Sequence, residues 1–108
     1  MVYELRIYDT APGKLPLVLK RFETLTLRMW DKHGIQQAGF WTVQIGASNL
    51  KLYYMLRWES LAEREQKWAA FVKDPEWVRE RNETEKDGPL VTSVSNEILV
   101  PTVFSAVK

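Results

Sequence analysis

Near the N-terminus, apolar side chains alternate with charged or aromatic ones, which is the pattern of a β-strand with two different faces. The predicted strand runs from about Val2 to Tyr8. Leu5 and Ile7 fall on one face of it. The other face carries an acidic, a basic and an aromatic side chain, Glu4, Arg6 and Tyr8. We interpret this second face as a pocket lining.

A second pattern follows, with apolar residues at alternating spacings of three and four, which predicts one long amphipathic helix. Its apolar positions are Leu15, Val18, Phe22, Leu25 and Met29. The helix is expected to end at Gly34, directly after His33. Further along, Ser60 has capping-box spacing to Glu63 and begins another helix. Asp74 and Pro75 restart the helix, which continues to about Lys86.

Three more extended segments complete the chain. Two of them, about Gln36 to Ile45 and Lys51 to Trp58, are joined by a loop short enough to form an antiparallel hairpin. The last runs from about Leu90 to Val100. The element order is therefore βαββαβ, which predicts an α+β, ferredoxin-like domain over residues 1–108 with both helical regions on one face of an antiparallel sheet. The usual strand order for this fold is four-one-three-two.

With the helices on the Leu5 side, the Glu4, Arg6 and Tyr8 side of the sheet is predicted to be uncovered. Residues expected to join it from the other strands are Phe40, Thr42, Gln44, Tyr53, Met55, Arg57, Ser93, Ser95 and Glu97. An aromatic face with paired ions needs a cover, and the same face of a second copy supplies one. We therefore expect a homodimer. Most of the five tryptophans are expected in the core, Trp68 and Trp77 from the helices and Trp41 and Trp58 from the inward side of their strands.

Composition excludes several classes of function. Lys and Arg number 15 and Asp and Glu 14, so neither nucleic acid nor a membrane surface is an expected partner. The chain has no Cys, which removes disulfides and thiolate metal sites and fits a reducing compartment. No leader-like segment or long apolar run is found, so we expect a soluble, cytoplasmic protein.

The sequence resembles the NIPSNAP family over essentially its whole length. The resemblance is carried by Tyr3-Glu4-Leu5-Arg6-Ile7-Tyr8, Pro12-Gly13-Lys14-Leu15, His33-Gly34-Ile35 with Gly39-Phe40-Trp41, Leu61-Ala62-Glu63-Arg64-Glu65, Asp74-Pro75-Glu76-Trp77 and Gly88-Pro89-Leu90. It implies a dimeric α+β barrel, in which two ferredoxin-like sheets face each other. It implies no settled activity, and the roles of the mitochondrial members are not carried over.

His33 is the single imidazole of the chain, so it is the candidate catalytic proton carrier near neutral pH. The alternative is a structural role, because a His before Gly interacts favourably with the last carbonyls of a helix. No metal site is predicted, since the carboxylates lack a ligand spacing. One His is enough for an axial ligand of haem, and dimeric barrels of this kind include haem-binding enzymes, but we predict no cofactor.

Arg6 and Arg57 are the predicted anchors of a ligand oxygen, because guanidinium groups donate paired hydrogen bonds to carboxylates and phenolates. The alternative is ion pairing with Glu4 and Glu97. Tyr8, Tyr53 and Phe40 are the predicted apolar walls. The function predicted from these residues is binding of a small apolar or aromatic molecule inside the barrel. Two alternatives remain open, a cofactor-independent oxygenase or isomerase-like enzyme, and an interaction protein acting through its dimer surface.

Overall fold

The computed structural model describes all 108 residues, which build one antiparallel sheet with helices on one side. The strands are β1 (Val2–Thr10), β2 (Gln36–Thr42), β3 (Lys51–Trp58) and β4 (Val91–Leu99). The helices are α1 (Leu15–Arg21), α2 (Leu27–His33), α3 (Leu61–Lys73) and α4 (Pro75–Thr84), and a π-helical segment (Phe22–Thr26) joins α1 to α2. The predicted βαββαβ order is confirmed. None of the helices has the length and apolar character needed to cross a membrane.

The strands are arranged in the order β2-β3-β1-β4, which is the predicted ferredoxin-like order. The predicted helix boundaries also hold where local chemistry sets them. Ser60 Oγ accepts a hydrogen bond from the Glu63 backbone N–H at the start of α3, at 3.1 Å, as an N-cap does. Gly34 ends α2 in the left-handed conformation, at φ 71°, where a glycine has no Cβ to clash.

The core lies between the sheet and the helices. Strand β3 contributes four side chains with no exposed surface, Leu52, Tyr54, Leu56 and Trp58. The helical layer contributes Val18, Phe22, Leu25, Met29, Trp30 and Phe71, and Ile35 and Leu90 complete the cluster. The apolar stripe predicted for the first helical region therefore packs on the even-numbered face of β3.

The predicted assignment of the sheet faces is wrong. Opposite residues of an antiparallel pair point to the same side of the sheet, and Arg6 lies opposite Tyr54. Glu4, Arg6 and Tyr8 consequently face the helices, and Glu4 has no exposed surface. The reason is the partner strand, since β3 has four large apolar side chains on this face, whereas β1 has Tyr3, Leu5 and Ile7 on the other.

The uncovered face, which we call the open face, is apolar in its middle. It collects Leu5, Ile7, Trp41, Tyr53, Met55, Arg57, Ser93, Ser95, Glu97 and Leu99, as the pairing of the strands requires. The prediction that Arg57 and Tyr53 share a face with Arg6 and Tyr8 is therefore wrong. Arg57 forms no ion pair, and its Nε lies 3.3 Å from the sulfur of Met1.

Trp41 is the exception among the predicted core tryptophans, because 52% of it is exposed. The register of β2 shifts between Gln37 and Gly39, so that Phe40 faces the helices and Trp41 the open face. The indole lies directly over Gly39, where an added Cβ would come within 2.7 Å of the ring. Gly39 also has a φ of 155°, a conformation that glycine adopts more readily than other residues.

Candidate ligand-binding site

Glu4 is the centre of a buried polar network beneath α3. Its carboxylate accepts hydrogen bonds from Arg64 Nε at 2.8 Å, Arg6 Nη1 at 3.0 Å, Trp58 Nε1 at 3.1 Å and Asn96 Nδ2 at 2.9 Å. Burial opposes ionisation, but these donors more than offset it, with Arg64 the strongest, and lower the pKa of Glu4 to about 2. The carboxylate is therefore ionised at neutral pH and fixes the position of Arg6.

Arg6 extends from this network towards the helices. Its Nε donates to the Tyr54 hydroxyl at 2.7 Å, and its guanidinium carbon lies 4.6 Å from the centre of the Trp68 ring, a cation–π contact. Burial disfavours the charged form of Arg6, but the hydroxyls of Tyr54 and Tyr8 more than offset this and raise its pKa. Arg6 is thus a fixed, permanently charged group.

A cavity of about 420 Å³ opens beside Arg6, between the sheet and the helices. Its size falls within the range usual for small-molecule sites. Ten of its 15 lining residues are hydrophobic. The lining comprises Arg6, Tyr8, Arg21, Phe22, Thr26, Trp30, Trp68, Phe71, Val72, Trp77, Val78, Arg81, Asn82, Val91 and Val94. Three arginines and no carboxylate line it, so the cavity is complementary to an apolar molecule with an oxygen acceptor or a negative charge.

The π-helical segment forms part of the cavity wall through Phe22 and Thr26. At its end the Leu27 N–H donates to the Phe22 carbonyl, five residues back, which widens the turn. Such segments are rare and occur frequently at functional sites. Nothing in the apolar spacing predicted it, because the stripe at intervals of three and four continues through it.

Two buried N–H groups in the cavity wall have no acceptor in the protein. They are Arg21 Nε and Trp30 Nε1. Both residues line the cavity, but these two nitrogen atoms are themselves buried. Arg21 Nη1 donates a hydrogen bond to Glu85 Oε1 at 3.1 Å, which fixes the guanidinium. Unpaired buried donors are uncommon, and here both add positive potential to the wall.

His33 lies outside this lining. Its Nε2 is 2.7 Å from Asp74 Oδ2, and Asp74 also accepts from the Glu76 backbone N–H at the start of α4, at 2.9 Å. Hydrogen bonds from Lys32, the strongest, and from His33 lower the pKa of Asp74. His33 therefore ties the end of α2 to the start of α4, a structural contact that differs from the predicted one with the last carbonyls of its own helix. A catalytic role for His33 stays a prediction.

Of the predicted ligand-binding residues, Arg6 and Tyr8 line the cavity. Phe40 is on the same sheet face but stacks on Tyr54, with ring centroids 5.0 Å apart, and does not line it. Tyr53 and Arg57 lie on the open face, so the two predicted arginine anchors do not converge. A ligand contact of these three residues stays a prediction.

Several lining residues were not singled out from the sequence as ligand-binding. Arg21 and Arg81 are helical arginines without a distinguishing motif, and Trp68 and Trp77 were assigned to the core. The apolar face of β3 could have indicated the position of Glu4 and Arg6. These two residues share a sheet face with Tyr54 and Leu56, and that face is the one covered by the helices. No group of three or more His, Asp or Glu side chains is positioned to hold a metal ion.

The fold and the cavity define a class of protein, a ferredoxin-like α+β domain with a ligand-sized space between sheet and helices. The model of the NIPSNAP family matches residues 3–106. The chain belongs to the NIPSNAP family.

Relatives agree with this assignment. Protein NipSnap homolog 3B of Mus musculus is 28% identical over 75 residues, which cover 69% of this chain and only 30% of the mouse protein. A crystal structure of a NIPSNAP family protein with unknown function from Agrobacterium tumefaciens has 27% identity and a TM-score of 0.86, over 100% of this chain and 94% of that one.

A more distant likeness concerns the fold alone. A dimeric ferredoxin-like protein from an uncultured marine organism has 14% identity and a TM-score of 0.61, and the match covers 99% of this chain and 98% of that one.

Proposed function

We propose that the protein binds a small apolar or aromatic organic molecule, bearing an anionic or carbonyl oxygen, in the cavity between sheet and helices. The observation that carries this is the lining, ten hydrophobic residues of 15 with three arginines and no carboxylate. Apolar walls with a few convergent polar groups are the usual composition of ligand sites. Arg6 is the proposed source of the positive charge that favours this oxygen, because Glu4 and Tyr54 hold it in place at the cavity wall.

Fluorescence tests this directly, since Trp30, Trp68 and Trp77 line the cavity. We expect members of a panel of aromatic acids, quinones and haem to change the emission with a dissociation constant below about 1 mM. Arg6→Gln should weaken binding of the acids. Arg57→Gln is the matched control, because it removes the same charge from the open face. Equal loss in both variants, or no binding by any member of the panel, would refute the proposal.

A cofactor-independent enzyme remains the alternative, and it would use the same cavity. The mass and the absorption spectrum of the recovered ligand after incubation in air distinguish the two. Oxygenation changes the mass, isomerisation changes the spectrum, and binding alone leaves the recovered ligand unchanged in both. A cytoplasmic location likewise remains a prediction from the sequence.

We further propose that two copies associate through the open face into a dimeric α+β barrel. The face is apolar at Leu5, Ile7 and Met55, and Trp41 is half exposed on it. The marine ferredoxin-like protein of the same fold is dimeric. Apolar patches of this kind mark interfaces between proteins, and an isologous contact of one face with itself needs no other partner.

Light scattering at micromolar concentration tests the dimer. The unmodified chain should have twice the mass of a monomer, and Ile7→Glu should be monomeric, because two carboxylates would meet in an apolar interface. Leu17→Glu is the matched control, since Leu17 is an exposed residue of α1 in the helical layer. A monomeric unmodified chain, or a dimeric Ile7→Glu variant, would contradict this interface.

A further inference from the structure

A chain of hydrogen bonds runs from the buried network to the cavity, and its direction is fixed by chemistry. Arg6 Nε donates to the Tyr54 hydroxyl at 2.7 Å. A guanidinium only donates, so the Tyr54 oxygen is the acceptor and its own proton must go elsewhere. Tyr54 has no exposed surface, and a buried hydroxyl proton needs an acceptor. That acceptor is the Tyr8 oxygen, 3.0 Å away.

The hydroxyl of Tyr8 is consequently a donor towards the cavity. Its oxygen already accepts from Tyr54, and its proton goes to no acceptor in the protein, while Tyr8 lines the cavity. Arg6 lines the same wall. Both residues border the space that a ligand would occupy.

The charge of Arg6 strengthens this donor. A hydroxyl that accepts from a cation becomes a better donor itself, and the effect passes along a chain of hydrogen bonds. Burial, followed by the neighbouring Tyr8, raises the pKa of Tyr54 well above its usual value although Arg6 opposes this. Tyr54 therefore keeps its proton at neutral pH and remains a donor to Tyr8.

The surrounding wall also favours negative charge. The carboxylates nearest to the arginines, Glu4 and Glu85, bind Arg6 and Arg21 and do not line the cavity. Arg21 and Trp30, which line the cavity, each carry a buried N–H group without an acceptor. A ligand oxygen near Tyr8 thus meets donors and positive potential, with no carboxylate in the lining to repel it.

We propose that Tyr8 is the residue that binds the ligand oxygen, and that the site selects the ionised form of a weak acid such as a phenol or enol. Tyr54 and Arg6 act as positioning residues behind it. This inference rests on the proposed function, since it assigns the chemistry of the molecule that the cavity holds.

The test uses 4-nitrophenol, whose neutral and ionised forms absorb at different wavelengths, and its methyl ether 4-nitroanisole, which cannot ionise. With the unmodified protein, we expect the bound phenol to be ionised at a pH where the free phenol is mostly neutral. The ionised form should bind at least about tenfold more tightly than the neutral one, which is the strength of one hydrogen bond to a charged group. 4-Nitroanisole should bind without this preference.

Tyr8→Phe should abolish the spectral preference and leave the affinity for 4-nitroanisole unchanged, because the ring and its contacts remain. Tyr54→Phe should reduce the preference in part, because Tyr8 loses the donor that polarises it. Circular dichroism melting checks that both variants fold. A further comparison with Arg6→Gln separates direct binding by Arg6 from its action through the tyrosines.

The possible failures are distinguishable. Binding of both probes without preference for the ionised phenol would overturn this inference and leave the proposed function standing. A preference that survives Tyr8→Phe but is lost in Arg6→Gln would overturn the assignment of Tyr8. Absence of binding by either probe and by the aromatic panel would contradict the proposed function, and this inference would fall with it.

Discussion

Replacing Glu4 by Gln is expected to destabilise the fold strongly, and to do so only above acidic pH. The variant keeps the size of the side chain but removes the charge that Arg6 and Arg64 share. In addition, the NH₂ group of the new glutamine would face the N–H donors that surround Glu4, and none of these can accept a hydrogen bond from it. Removing one partner of a buried ion pair costs about 3–5 kcal/mol.

The lowered pKa of Glu4 gives the size of this loss of stability independently. The pKa of Glu4 is about 2 in the folded protein, against an ordinary value of 4.5. Each pKa unit corresponds to about 1.4 kcal/mol, so ionised Glu4 stabilises the fold by about 3 kcal/mol at neutral pH. Because the folded pKa is lowered, this contribution is complete above the unfolded pKa of 4.5. It is lost as the pH falls towards 2.

Urea unfolding at fixed protein concentration, repeated from pH 7 to pH 2.5, measures both effects. The free energy of unfolding of Glu4→Gln should lie about 3 kcal/mol below that of the unmodified chain at pH 7, and the two should converge as the solution is acidified. Glu83→Gln is the matched control, because Glu83 is an exposed residue paired with Lys86 and should change stability by less than about 1 kcal/mol. A constant difference at all pH values would refute the linkage, and no difference at pH 7 would mean that water reaches the network.

Single contacts at Ser60, Gly39 and His33 also affect stability. Ser60→Ala should lower stability by about 1 kcal/mol in urea unfolding, because it removes an N-cap, and an unchanged midpoint would contradict the cap. Gly39→Ala should lower the melting temperature, because the added Cβ collides with the Trp41 indole, and the loss should be smaller in a Trp41→Ala background. An equal loss in both backgrounds would mean that the backbone conformation of residue 39 alone causes it. His33→Gln should lower stability by weakening the contact with Asp74 but leave the affinity for aromatic acids unchanged, and a loss of affinity would favour the catalytic or pocket role.

The architecture could be predicted from the sequence because local signals determine it. The spacing between Leu15 and Met29, the caps at Ser60 and Asp74, and the break at Gly34 each act within a few residues. Strand order then followed from the usual arrangement of the βαββαβ fold, and the structure has it.

The faces of the sheet could not be predicted by reading each strand alone. Alternation in β1 separates Leu5 from Arg6 correctly, but it leaves open which of the two faces the helices cover. Register decides this, because Arg6 lies opposite Tyr54 and Leu5 opposite Met55, and a shift by one residue exchanges the two faces. The register shift at Gly39 likewise places Trp41 on the open face instead of the face that the helices cover. For this reason, the prediction that Arg6 and Arg57 lie on the same face of the sheet is wrong.

The position of the charged residues also bears on why the network exists. A buried ion pair is often no more stabilising than apolar side chains of similar volume, so stability alone gives little reason for Glu4, Arg6 and Arg64 to lie under a helix. The network does hold a guanidinium in one orientation at the edge of an apolar cavity, where a free arginine would extend into water. Preorganisation of that kind lowers the cost of ordering a side chain on binding. The buried charges of β1 therefore fit a binding role better than a purely structural one.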